Sequence, residues 1–243
     1  MRPFPAGWRV LLHESLPSTS DLLRRLAVAG EPEGLAVLAR RQTAGRGTSG
    51  RRWASPSGNL HLSALFRPTE PARTLPEWSL LAGLAAHDAL APRLPPGASL
   101  RLKWPNDLLL DGAKVAGILV EAEARADGRL DWLCLGVGAN LSAAPDLPDR
   151  PTAALPHPAP AVEDVAHDLL AALTEWRRLR LLDGFDPIRR AWLARGPVPG
   201  THLAVNAPGG PVAGAFEGLA DDGALLLRTG GRVHAFRAGE VQG

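Results

Sequence analysis

The chain has no tyrosine, a single cysteine and a single methionine in 243 residues, and only two of its 27 basic residues, Lys103 and Lys114, are lysine. A lone thiol excludes an internal disulfide framework and cannot build a thiolate metal site. Cys134 sits in the apolar run Trp132-Leu133-Cys134-Leu135, which points to a buried, inert thiol in a reducing compartment. No apolar run approaches the length of a membrane span, and Met1 to Arg9 lacks the apolar centre of a secretory leader. The expectation is a cytoplasmic protein without a membrane partner. A net charge of +2 argues against bulk binding of nucleic acid. The seven histidines show no paired spacing for a metal, so no metal ligands are assigned. Neither a Gly-Lys-Ser/Thr phosphate loop nor a Gly-x-Ser-x-Gly nucleophile elbow occurs.

What is scarce is also informative by position. Asparagine occurs four times and glutamine twice, a bias expected of a G+C-rich coding sequence in which arginine replaces lysine wherever either serves. Types that survive such a bias mark positions where the substitute fails. An ammonium is a compact charge with rotatable donors and a shiftable pKa, which a guanidinium cannot imitate. Both lysines lie within one short stretch, and Gln42 opens a loop that holds Gly45, Arg46, Gly47, Gly50, Arg51 and Arg52. Glycines let the backbone approach a ligand closely, and arginines offer forked donors to phosphate or carboxylate. Gly45-x-Gly47-x-x-Gly50 is not a dinucleotide fingerprint, because Arg51-Arg52 and a strand follow it where a packed helix is required.

Along the chain, Trp8 to His13 predicts a strand, and Pro17 to Asp21 starts a helix whose hydroxyls, Ser18 and Thr19, either cap it or face a polar ligand. Leu60, Leu62, Ala64 and Phe66 alternate with His61, Ser63 and Arg67, as in a half-buried strand. Pro76 to Ala91 predicts a helix. Leu100, Leu102 and Trp104 alternate with Arg101 and Lys103, and Asp111-Gly112 predicts a type I′ hairpin turn before Ala113 to Glu121. The resulting meander brings Lys103, Asp107 and Lys114 toward one end. Residues 142–160 hold six prolines and read as a long surface loop. Helices follow over Ala161 to Leu182 and Asp186 to Arg195. Gly196 to Gly200 separates residues 1–195 from 196–243, whose Thr201–Asn206, Val212–Leu219, Ala224–Arg228 and Arg232–Arg237 alternate with turns as in a small β-barrel.

Four ordered motifs resemble biotin–protein ligases: Gly45-Arg46-Gly47 through Gly50-Arg51-x-Trp53 to Leu60, Lys103-Trp104-Pro105-Asn106-Asp107, Lys114-x-Ala116-Gly117 to Glu121, and Gly136-x-Gly138-x-Asn140. The resemblance runs from about Ser18 to Asn140 and extends to the small terminal unit. It implies an α+β fold: a mixed, largely antiparallel sheet with helices on one face, class II synthetase-like, followed by an SH3-like barrel. It also implies activation of biotin by Mg-ATP to biotinyl-5′-AMP, then transfer to a lysine of the biotin carboxyl carrier domain of acetyl-CoA carboxylase. The helix-turn-helix of the family's repressors is missing, so DNA is not an expected partner. A sheet edge leaves room for a homodimer.

The resemblance assigns biotin contacts to Ser18, Thr19, Ser20, Gln42, Gly45, Arg46, Gly47, Trp53, Lys114 and Gly117. It assigns nucleotide contacts to Arg51, Arg52, Lys103, Asn106, Lys114 and Asn140. Arg51, Lys103 and Lys114 are the cations expected to ease attack of a carboxylate on the α-phosphate. Asp107 either orients the incoming amine, accepts its proton, or only shapes the turn. Two departures stand out: Ser20 where the family commonly has asparagine, and Thr48 where many members have a basic residue that helps retain the adenylate. The competing readings are a lipoate–protein ligase, whose loop pattern is absent, and a non-catalytic RNA-binding protein, which the low net charge and lack of interleaved aromatics oppose.

Overall fold

Runs in which apolar and polar residues alternate must be assembled so that each apolar face is covered. The computed structural model, which describes residues 2–207 and 210–242, does this with two sheets and four α-helices. Strand β1 (Arg9–His13), helix α1 (Thr19–Val28) and strand β2 (Leu35–Ala39) form a parallel crossover unit. Then follow β3 (Leu60–Phe66), α2 (Leu75–Leu90), β4 (Leu100–Lys103), β5 (Asp107–Leu110), β6 (Ala113–Ala124) and β7 (Leu130–Ala139). The seven strands stand in the order β1-β2-β3-β7-β6-β5-β4, antiparallel everywhere except at β1–β2. The β5–β6 turn has φ of 49° at Asp111 and 84° at Gly112, the type I′ geometry that Asp-Gly favours.

Helices α3 (Val162–Asp183) and α4 (Asp186–Arg195) follow the proline-rich segment. Along β2, Ala36 and Leu38 join the large core beneath α2 and α3, whereas Leu35 and Val37 meet Leu23 and Ala27 of α1 with Trp132 and Cys134 of β7. The expected placement of helices on one face thus describes α2, α3 and α4; α1 lies on the opposite face. Leu23 is fully buried there, which contributes about 1.5–3 kcal/mol. Burial pushes the Cys134 thiol up to about 12, as expected of an inert cysteine. Strand β3 departs from the half-buried expectation, since all seven residues are buried, His61 and Ser63 included. Its polar face looks into the molecule.

The terminal sheet contains β8 (His202–Ala207), β9 (Gly210–Leu219), β10 (Leu225–Thr229), β11 (Arg232–Phe236) and β12 (Glu240–Gln242), in the order β11-β10-β9-β8-β12. This is the SH3-like unit. The strand β12 was not expected from the sequence. Val205, Phe216, Leu225 and Leu227 belong to the same apolar cluster as α2 and β4. Trp104 Nε1 donates to Gly223 O at 3.2 Å across the junction. Among the described residues no helix is long and apolar enough to cross a membrane.

Candidate active site

On the α1 face of the sheet, side chains shrink along β7 from Trp132 and Cys134 to Gly136 and Gly138. Gly117 on β6 lies opposite Gly138, so the sheet there is a bare floor. Around the floor stand Thr19, Ser20, Gln42, Trp53, His61, Asn106 and Lys114. A Cβ on Gly136 would come within 2.8 Å of Ser20 Oγ, and one on Gly138 within 2.4 Å of the Trp53 ring. Trp53 thus covers the floor, and a volume of about 40 Å³ is left.

Hydrogen bonds make the wall. Ser18 is the N-cap of α1 and its Oγ accepts from Asp21 N at 3.3 Å; its side chain does not line the slot. Thr19 donates to Gln42 Oε1 from both N (2.7 Å) and Oγ1 (3.1 Å). Ser63 Oγ donates to Thr19 Oγ1 at 2.8 Å and lies 3.0 Å from Ser20 Oγ. Gln42 Nε2 donates to Ser55 Oγ at 2.9 Å. A Cβ on Gly45 would lie 2.6 Å from that hydroxyl and 2.5 Å from Trp53 O, so only glycine leaves this bond intact. His61 Nε2 lies 3.1 Å from Pro56 O, while burial pushes its pKa down and leaves the ring neutral with Nδ1 unpartnered. Buried polar atoms without partners are rare and costly.

The glycine loop is a closed hairpin. Gly47 N donates to Arg51 O at 2.8 Å and Trp53 N to Gly45 O at 2.9 Å. Arg46 lines the slot and pairs with Asp21 of α1 at 3.1 Å and with Glu121 of β6, so its side chain staples the loop. Arg52 donates to Thr43 O at 3.3 Å. Asn106 Nδ2 donates to Ile118 O at 2.8 Å, and Ile118 N returns a bond of the same length to Asn106 O.

Lys103, Asp107 and Lys114 do converge. Lys103 and Asp107 are register partners on β4 and β5, and Lys114 Nζ lies 2.6 Å from Asp107 Oδ1. That contact is an ion pair off the hydrogen-bonding direction, since the same oxygen accepts no aligned bond. Burial pushes the Lys103 ammonium down, against Asp107 and Glu240, which hold it up. Lys114 Nζ also stands 5.6 Å from the Trp53 ring centre.

The proline-rich segment is the surface loop expected, most of its residues being exposed, but hydrogen bonds pin it inward at Ser142 and Ala153. Asn59, fully buried, accepts from the backbone of Leu141 (3.0 Å) and Ser142 (2.9 Å) and starts the segment inward. Asn140 Nδ2 donates to Ala153 O at 3.0 Å, so its amide is committed to holding the returning chain. Lys114 N donates to Pro151 O at 2.9 Å. The segment thereby walls a cavity of about 470 Å³ lined by Arg51, Arg52, Lys114, Asn140, Arg150 and Thr152, among others. Lys103 faces a second cavity beside it, with Asp107, Lys114, Arg150 and Glu240. Sequence reasoning missed Ser55, His61, Ser63, Arg150 and Glu240. His61 and Ser63 carried a signal, polar residues in a strand between buried neighbours; Arg150 and Glu240 carried none. Among the described residues no group of three or more His, Cys, Asp or Glu side chains is placed to hold a metal ion.

Residues 12–140 match the biotin/lipoate A/B protein ligase family, and residues 201–242 match the biotin protein ligase C-terminal domain. The chain is 40% identical over 214 residues to a biotin–[acetyl-CoA-carboxylase] ligase of Paracoccus denitrificans, covering 84% of this chain and 88% of that one. A ligase of the same name from Mycobacterium tuberculosis is 34% identical over 249 residues, covering 97% and 90%. The biotin protein ligase of Aquifex aeolicus, solved in complex with biotin and ATP, superposes with a TM-score of 0.80 at 26% identity, covering 96% of this chain and 97% of that one.

Proposed function

Because the chain belongs to the biotin/lipoate A/B protein ligase family, we propose that it converts biotin and Mg-ATP to biotinyl-5′-AMP and passes biotin to one lysine of a biotin carboxyl carrier domain of acetyl-CoA carboxylase. The observation that carries this reading is the position of Lys114, which lines both the glycine-floored slot and the cation-walled cavity. The slot suits a compact, largely apolar bicyclic ring with a polar ureido edge: glycines beneath, Trp53 above, and the Thr19–Gln42–Ser63 network along one side. A free volume of about 40 Å³ holds only roughly three water positions, so the ring enters as the Trp53 indole gives way. The cavity suits a nucleotide.

At the junction a biotin carboxylate oxygen attacks the α-phosphorus, the bond to the β-phosphate oxygen breaks, and pyrophosphate leaves. Two anions must meet, so cations at the junction lower the barrier. Lys114, Arg51 and Lys103 take that role in this reading, with Asp107 holding Lys114 in place through their ion pair. In the second step the carrier lysine's amine attacks the acyl carbon, AMP leaves, and the amine loses a proton; Asp107 is the nearest acid to orient it. Ser20, the Gly45-Arg46-Gly47 loop and Gly117 belong to the biotin side, with Ser18 as the cap that sets α1, and Arg52 and Asn140 belong to the nucleotide side; Asn106, expected among the nucleotide contacts, lines the slot instead. Magnesium enters as part of the Mg-ATP substrate, held by phosphate oxygens as is usual for this ion. Residues 1–195 form the catalytic unit and 196–243 the terminal domain in this account. The activity consumes ATP and belongs in the cytoplasm; a second copy could pair along a free edge of the seven-stranded sheet.

Biotin-dependent exchange of label between pyrophosphate and ATP, followed by transfer of biotin to a carrier domain, tests the reading. Exchange with biotin but not with lipoate supports it. Exchange with lipoate alone would move the protein to the other branch of the family, and exchange with neither would remove the enzymatic reading.

A further inference from the structure

Three stretches far apart in the chain meet at one carboxylate oxygen. Arg51 Nη1, from the glycine loop, donates to Glu240 Oε1 at 2.8 Å. Arg150 Nη1, from the proline-rich segment, donates to the same oxygen at 3.0 Å. Glu240 itself belongs to β12 of the terminal sheet, where it pairs with Asn206 of β8. The other edge of the Arg150 guanidinium is held by its neighbour Asp149, through Nε at 3.0 Å and Nη2 at 2.6 Å. Arg150 is therefore oriented by one acid and shares the second with Arg51. Burial works against the Glu240 charge, but Arg51 and Arg150 outweigh it and hold the carboxyl below its usual range.

A single anionic oxygen between two guanidinium groups is the arrangement by which arginines take a phosphate oxygen. Arg150 lines both the cavity that contains Arg51 and Asn140 and the one that contains Lys103 and Lys114. Those two cavities meet on Arg150 and Lys114, so Arg150 stands where a chain of phosphates would pass from one to the other. The Arg51–Glu240 pair is more than a third exposed on both sides, and such pairs contribute little by themselves. A polyanion with several charges competes well against them. A purely structural tie between the terminal sheet and the loops would need neither the shared oxygen nor the flanking cavities.

Resting on the ligase reading, we infer that Arg150 joins Arg51 in binding the nucleotide's phosphates, and that the Glu240 carboxylate competes with phosphate oxygen for both guanidiniums. When the phosphates take the arginines, the terminal sheet loses its hold on the glycine loop and on the proline-rich segment together. Nucleotide binding and loop release are then one exchange of partners.

The test is calorimetric titration of α,β-methylene-ATP with magnesium into biotin-saturated protein, for wild type, Arg150→Ala, Arg150→Lys and Glu240→Gln. Loss of a charge-assisted bond predicts an analogue Kd about tenfold or more weaker in Arg150→Ala, with partial recovery in Arg150→Lys. Removal of a competitor predicts an analogue Kd about threefold tighter in Glu240→Gln. Biotin affinity, titrated separately, stays within about twofold of wild type in all three, because none of them lines the glycine-floored slot. Arg150→Ala binding the analogue as wild type does would overturn the inference alone. So would Glu240→Gln weakening it, since Glu240 would then position the arginines and not compete for them. Wild type that binds biotin but no analogue would overturn this inference together with the ligase reading on which it rests.

Discussion

At the scale of single residues, the slot depends on what Gly136, Gly138 and Gly45 leave out. A methyl group on Gly138 would stand 2.4 Å from a rigid indole ring, not from the end of a flexible chain. Overpacking of this kind costs about 1–3 kcal/mol, and the strain falls on the ligand's own surface. Gly138→Ala is expected to weaken biotin at least about tenfold by calorimetry, with a smaller effect on thermal stability; unchanged biotin affinity would show that the floor is not used. Thr48 lines both the slot and the larger cavity beside it, and its Oγ1 accepts from Arg51 Nη2 at 3.3 Å. An arginine at this position would add charge-assisted bonds to the adenylate, so Thr48→Arg should release biotinyl-AMP about tenfold more slowly than wild type. Equal release rates, followed by filter separation of the labelled adenylate, would contradict this. The convergence of Lys103, Asp107 and Lys114 was legible because the Asp111-Gly112 turn and strict alternation set the register. His61 and Ser63 were misread because period-two patterning distinguishes two faces but cannot tell water from an internal slot.

At the scale of elements, the site is built where α1, β3, β6, β7 and the glycine loop meet, and the helices on the far face hold the sheet in shape. Asp88 of α2 accepts from Trp176 Nε1 of α3 at 2.8 Å and from Arg195 Nη2 of α4 at 3.2 Å, joining three helices. Burial works against its charge, but the neighbouring His87 ring, the bond from Trp176 and the Arg195 charge outweigh it and hold the carboxyl below its usual range. A carboxyl lowered in the native state adds stability above its unfolded value, and this is lost as pH falls through the native value. Asp88→Asn should therefore cost about 1 kcal/mol near pH 7, discounted for partial exposure, and the difference should shrink between pH 5 and about pH 3. Thermal unfolding across that range measures it, and a difference independent of pH would contradict the assignment. The helices were legible to within a residue or so, because a proline in the first turn of α2 and α4 and a glycine just past α3 and α4 mark their ends. The packing of residues 142–160 was not, since prolines erase periodicity and the fold of that segment is set by Asn59 and Asn140.

At the scale of the whole molecule, two sheets share one apolar core, and the last strand returns Glu240 to the mouth of the cavity. Three residues of strand are too few for a pattern, so this return could not be read from the sequence. The loops, the meander and the terminal sheet thus each send charged groups to one place, with Lys114 at the junction of slot and cavity. Lysine scarcity and geometry agree on that residue. Label exchange between pyrophosphate and ATP, driven by biotin, in Lys114→Arg beside wild type tests the account most directly. A fall of at least about a hundredfold is expected, since a planar guanidinium cannot replace the ammonium beside Asp107, while biotin is still bound. Exchange that persists at the wild-type rate would contradict it.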